Sequence, residues 1–84
     1  MGNTVTLLYF AALREAVGVA EERCELPEDV RTVLDLSGFL ERTRPMLAGR
    51  LGSVRFAVNE TFAFDDTGLE PGDVIALIPP VSGG

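Results

Sequence analysis

The chain of 84 residues contains no lysine and no histidine. Its seven basic residues are all arginine and stand against thirteen acidic ones, for a formal net charge of −6. Nucleic-acid binders release counterions through a basic stripe, and the sequence has none. The missing histidine removes the commonest general base and metal ligand, so a self-contained catalyst is not expected. A single cysteine, Cys24, leaves no internal disulfide to form, and the chain reads as cytoplasmic rather than as a stapled secreted domain. No apolar run approaches the ~18 residues of a membrane span, and no basic segment opens the chain as in a signal peptide. What is present is ordinary globular composition, 46% hydrophobic and 24% charged, in a length that suits one domain. The balance describes a small acidic domain that acts on or through another protein.

The pattern along the chain supports alternating strands and turns around one helix. Val5–Phe10 is rich in β-branched, aromatic and aliphatic residues and predicts a strand. Ala11–Val17 reads as a short helical segment closed by Gly18, and Glu21–Leu26 as a second strand. In that strand Glu21, Arg23 and Glu25 share one face while Cys24 and Leu26 share the other, a charged exterior that suits a sheet edge. Thr32 is placed to cap a helix, with Asp35 completing a capping box. Val33, Leu36, Leu40 and Thr43 then recur at helical spacing, with Phe39 widening the stripe, until Pro45 ends it. Gly38 inside this run is read as a place where bare backbone approaches the sheet. Val54, Phe56 and Val58 alternate in a third strand, and Asn59-Glu60 turns the chain into a fourth over Thr61–Phe64. Two turn signals follow, Asp65-Asp66-Thr67-Gly68 and Pro71-Gly72-Asp73. Val74–Ile78 is apolar on both parities, which predicts an interior strand.

The order β-β-α-β-β-β is α+β, and it is the order of the ubiquitin-like β-grasp. A mixed five-stranded sheet with one main helix on one face is therefore expected, with a parallel pair arising from the helical crossover. Residues 1–78 would form the domain and residues 79–84 an extended tail. Pro79 and Pro80 lack N–H donors and cannot extend a ladder. Six residues reach at most ~20 Å from the body. Val81 and Ser82 continue the tail uncharged, and Gly83 and Gly84 lack a Cβ, so they can thread a passage that admits little more than backbone. Such an end is either an inert extension or a carboxyl group built for delivery into another protein's active site. The rigid spacer directly after a strong strand favours delivery.

Three stretches carry a resemblance: LLYFAALRE at residues 7–15, AVNET at 57–61 and LEPGDVIALIPPVSGG at 69–84. Together they make the chain resemble the small subunits of molybdopterin synthase, sulfur carriers of molybdenum-cofactor biosynthesis. The resemblance implies that Gly84 is the reactive position. An adenylating enzyme similar to ubiquitin-activating enzymes would join its carboxylate to AMP from ATP. A sulfur donor would convert the adenylate to a thiocarboxylate. That sulfur would pass to cyclic pyranopterin monophosphate within a heterotetramer of two small and two large subunits. No cofactor is expected to be bound stably, ATP being used by the partner. A sulfur carrier for thiamine or amino-acid biosynthesis, a ubiquitin-like modifier conjugated to lysines, and a plain interaction module remain the alternatives.

Strand parity adds a candidate docking surface. If Val5, Leu7 and Tyr9 face the helix, then Thr6, Leu8 and Phe10 face away, joined by Val74, Ala76 and Ile78 and by Phe62, with Phe64 as a further candidate. A solvated face would be mostly polar, so Phe10, Phe62 and Ile78 are predicted to anchor the large subunit beside the tail. Arg14 could pair with a partner or cap local carbonyls, next to Glu15. Cys24 is expected to be a small buried thiol. Asp65-Asp66 reads as a solvated turn, and no metal site is expected.

Overall fold

The computed structural model describes residues 3–80. Strand β1 (Asn3–Tyr9) leads into helix α1 (Ala11–Val17), β2 (Glu21–Leu26) and helix α2 (Val33–Thr43). Two single turns of 3₁₀ helix, Pro45–Leu47 and Leu51–Ser53, precede β3 (Arg55–Val58), β4 (Thr61–Phe62) and β5 (Val74–Ile78). The strands form one sheet in the order β2-β1-β5-β3-β4. Strand β1 runs parallel to β5, and the other neighbouring pairs are antiparallel. This is the expected mixed α+β grasp, with β2 at one edge and β5 in the interior.

The parallel pair does not arise as the sequence suggested. Helix α2 carries the chain from β2 at one edge to β3 on the far side of the centre, and these two strands are not neighbours. Strand β5 fills the gap the crossover leaves and lies parallel to β1, the first strand. Its apolar side chains on both parities suit that central slot.

One face of the sheet holds the core. Val5, Leu7 and Tyr9 of β1, Cys24 and Leu26 of β2, Phe56 of β3 and Ile75 and Leu77 of β5 are buried against Val33, Leu36 and Leu40 of α2. Each fully covered aliphatic side chain contributes roughly 1.5–3 kcal/mol, so this layer is the main source of stability. Thr43 does not belong to it. It lies exposed at the end of α2, and its hydroxyl donates to the Phe39 carbonyl at 2.9 Å.

Local signals set the helix ends. The Thr32 hydroxyl accepts from the Asp35 N–H at 3.2 Å while Asp35 accepts from the Thr32 N–H at 3.2 Å, a reciprocal capping box. The Val33 and Leu34 N–H groups donate to the Thr67 and Asp65 carbonyls, which fastens the start of α2 to the loop after β4. Gly18 closes α1 at φ +95°, a left-handed value that suits glycine, and its N–H donates to the Arg14 carbonyl at 2.8 Å. Gly38 does not approach the sheet: a Cβ there would meet only the Arg42 guanidinium, at 3.4 Å. It sits on the partly exposed side of α2.

Candidate functional site: the outer face of the sheet

The face opposite the core is apolar and open. Ladder register sets Leu8, Ala76, Ala57 and Phe62 in a row across β1, β5, β3 and β4. Two alanines at the centre and larger side chains at the flanks make this row concave. The resulting groove, of about 590 Å³, is lined by Leu8, Phe10, Val74, Ala76 and Ile78 on one side and Ala57, Asn59, Glu60 and Phe62 on the other. Phe10 is 44% and Phe62 56% exposed. Phe10 lies one residue beyond β1, but its backbone stays extended at φ −121° and ψ 150°, so the alternation of the strand carries through to it. The Arg55 guanidinium sits 4.5 Å from the centroid of the Phe62 ring and braces it.

Phe10, Phe62 and Ile78 thus line one groove, while Phe64 does not. Strand β4 stops at Phe62, two residues short of the predicted Phe64. The Phe64 N–H donates to the Thr67 hydroxyl at 2.9 Å in a turn. Its ring is 78% exposed and borders a separate hollow with Val33, Val54 and Phe56.

Ile78 ends β5 at one end of this groove, and Pro79 and Pro80 continue from it without regular structure. The tail therefore begins at the groove. Val81, Ser82, Gly83 and Gly84, the remaining predicted tail residues, lie outside the described residues.

Comparison with known proteins places these features. The ThiS family matches residues 7–84. The chain belongs to the ThiS family. A relative, the molybdopterin synthase sulfur carrier subunit of Homo sapiens, is 38% identical over 95% of this chain and 93% of that protein. Among solved structures, SAMP1 of Haloferax volcanii, a small archaeal modifier protein, matches with a TM-score of 0.82 at 29% identity, covering 96% of this chain and 99% of that one. A chain from the complex of subunits 1 and 2 of molybdopterin-converting factor of Helicobacter pylori 26695 matches with a TM-score of 0.66 at 28% identity, covering 96% and 99%.

This ThiS-family chain also carries a polar cluster that the strand alternation should have announced. Glu22 shares the inward parity of Cys24 and Leu26, where a charge must find partners. The Tyr9 hydroxyl donates to Glu22 Oε1 at 2.5 Å and Arg44 Nε donates to the same oxygen at 2.7 Å. Arg44 Nη2 also reaches Cys24 Sγ at 3.7 Å. Burial pushes the Tyr9 hydroxyl well above its ordinary pKa, and the neighbouring Glu22 carboxylate adds to this. Burial also pushes Glu22 upward, but hydrogen bonds from Arg44 and Tyr9 outweigh it and hold the carboxyl below its usual range. The Cys24 thiol is buried and raised by desolvation, with Arg44 opposing, so it is a core group rather than a nucleophile. The cluster ties the end of α2 to β1 and β2 on the side away from the groove.

Arg14 and Glu15 are exposed on α1, and the cap there is the Arg14 backbone carbonyl rather than its side chain. Asp65 and Asp66 are exposed in their turn. Among the described residues no group of three or more His, Cys, Asp or Glu could hold a metal ion. No described helix is long and apolar enough to cross a membrane.

Proposed function

We propose that this chain is a sulfur carrier, the small subunit of a molybdopterin synthase, and that its reagent is the carboxyl group of Gly84. The single observation that supports this reading best is an exposed apolar groove at the root of a Pro-Pro-Val-Ser-Gly-Gly tail, in a chain related to sulfur carrier subunits. The groove docks the large subunit through Phe10, Phe62 and Ile78. Pro79, Pro80, Val81, Ser82 and Gly83 thread the carboxyl end into the partner's active site.

The chemistry takes place on that carboxyl. A carboxylate oxygen attacks the α-phosphorus of ATP held by an adenylating enzyme, and pyrophosphate leaves. A donor's sulfur displaces AMP at the carbonyl carbon. Sulfide gives the Gly84 thiocarboxylate directly, and a persulfide gives an acyl disulfide whose S–S bond a thiol cleaves, freeing the thiocarboxylate while the thiol is oxidised to a disulfide. The thiocarboxylate sulfur then bonds to cyclic pyranopterin monophosphate as a thioester, and water cleaves the bond to the Gly84 carbonyl, leaving the sulfur on the pterin and the Gly84 carboxylate restored. The dithiolene needs two sulfurs, so two loaded carriers are used per product, which suits a heterotetramer with a small subunit at each end. The carrier itself holds no cofactor and works in the reducing cytoplasm.

Intact mass measurement tests this. The protein is incubated with the adenylating enzyme, ATP and a sulfur donor. The expected gain equals the exchange of one oxygen for one sulfur, and deletion of Gly84 abolishes it without changing the fold. An unchanged mass in the full chain refutes the carrier reading. The likeness to SAMP1 favours a second reading, a modifier of other proteins. It would appear in the same assay as isopeptide adducts on lysines of added proteins.

A further inference from the structure

The groove has one charged side chain along its lining, Glu60, and the backbone holds it in an unfavourable conformation. Asn59 and Glu60 form the turn between β3 and β4 with φ values of +51° and +72°. Both are left-handed, the geometry of the tight hairpin turn that prefers asparagine followed by glycine. Asn59 meets that preference and Glu60 does not, since a Cβ crowds the backbone there.

The turn does not relax because Asn59 clamps it to β5. The Asn59 side-chain carbonyl accepts from the Val74 N–H at 2.9 Å, and its amide donates to Asp73 Oδ1 at 2.9 Å. The Asn59 backbone N–H donates to the Val74 carbonyl at 2.8 Å. Glu60 is thereby set at the margin of the apolar groove, exposed, and no cation pairs with it among the described residues. Arg55, at the opposite end of β3 beside Ile78, is engaged over the Phe62 ring. Left-handed backbone at a residue with a charged side chain, on the margin of a groove, points to a role for that side chain.

We propose that Glu60 is a specificity residue: it receives an arginine or lysine of the large subunit that covers the groove. This rests on the reading of the groove as that subunit's docking surface. An apolar groove accepts many apolar patches, whereas a carboxylate at its margin accepts only a patch flanked by a cation and steers its approach. The net charge of −6 acts in the same direction at long range.

Association kinetics with the purified large subunit, at low and high salt, test the proposal together with thermal melts. Glu60→Gln keeps the melting temperature and slows association on the order of two- to fivefold at low salt. The difference disappears near 1 M salt, where screening reduces the Debye length to about 3 Å. Glu60→Gly slows association equally while raising the melting temperature by about 5 °C, because glycine relieves the left-handed strain. Phe62→Ala reports on the groove itself. If it weakens binding while Glu60→Gln associates as wild type at every salt concentration, the assignment of Glu60 is overturned and the groove reading stands. If Phe62→Ala has no effect on binding, the groove reading fails and the assignment of Glu60 fails with it.

Discussion

Replacing Phe62 with alanine separates a docking surface from a patch of core. The ring is 56% exposed. A wholly covered aromatic side chain buries ~150–250 Å², so roughly 100 Å² of this ring remains open to a partner. At ~25 cal/mol per Å² that area is worth about 2.5 kcal/mol on association. Each 1.4 kcal/mol is about tenfold, so the dissociation constant for the large subunit should rise roughly sixtyfold. The fold loses far less, because β4 is a two-residue edge strand. The principal intramolecular loss is the Arg55 contact at 4.5 Å, worth about 0.5–1 kcal/mol at an exposed site.

The assay is calorimetric titration against the large subunit, paired with thermal melts of the free variant. Phe64→Ala is the matched control: that ring is more exposed, at 78%, but lies outside the groove. Its removal should leave the affinity within about twofold, as for an ordinary surface substitution. A Phe62→Ala variant that melts several degrees lower yet binds within about threefold of wild type would refute the reasoning. So would a Phe64→Ala variant that loses as much affinity as Phe62→Ala.

Two further predictions concern the body of the domain. Gly38→Ala should stabilise the chain by about 1 kcal/mol in a denaturant titration, since alanine is the better helix former and its Cβ meets only the movable Arg42 guanidinium at 3.4 Å; a loss would show that the backbone there needs glycine. The Tyr9–Glu22–Arg44 cluster should shape both limbs of the pH–stability curve. Glu22 has a lowered folded-state pKa, so its contribution is present above its unfolded value near ~4.3 and is lost as pH falls through the folded one. Tyr9 has a raised one, so its contribution is present below ~10 and is lost as pH rises beyond that. Denaturant titrations across pH should show Glu22→Gln flattening the acid limb and Tyr9→Phe the alkaline limb; unchanged limbs would mean the cluster is not coupled to folding.

Local signals were legible in the sequence where a few neighbouring residues decide the outcome. The Thr32–Asp35 capping box, the Gly18 cap and the in–out alternation of β1 each depend on short spacings. Sheet order was harder to read, because the pairing of β1 with β5 joins residues nearly seventy positions apart and no local pattern names the partner. Alternation predicts a β4 reaching Phe64, because Phe62 and Phe64 look alike in it, whereas the Thr67 hydroxyl captures the Phe64 N–H and turns the chain away. Glu22 carried a signal that was available, a charge on the inward parity of a strand. Its partner Arg44 lies beyond the helix, 22 residues on, where spacing gives no hint.

The two-sided apolarity of β5 fits the proposed docking of a partner on the outer face. An antiparallel sheet with one wet face would place polar side chains at 74, 76 and 78, and a strand buried on both faces would not. Here α2 covers only the inner face, yet Val74, Ala76 and Ile78 are apolar on the outer one. In the proposed reading those residues suit a face that the large subunit covers part of the time, and the small Ala76 and Ala57 leave room for it. The tail starts at the same strand, and six extended residues reach at most ~20 Å. Any active site that acts on Gly84 must therefore lie within that distance of the end of β5. In the proposed cycle the adenylating enzyme and the large subunit both have to approach that end, and a single groove admits one of them at a time. Transfer then requires the carrier to leave the first partner before it docks on the second. An interface of moderate affinity, with an aromatic anchor and a steering charge, suits that exchange better than a tight one.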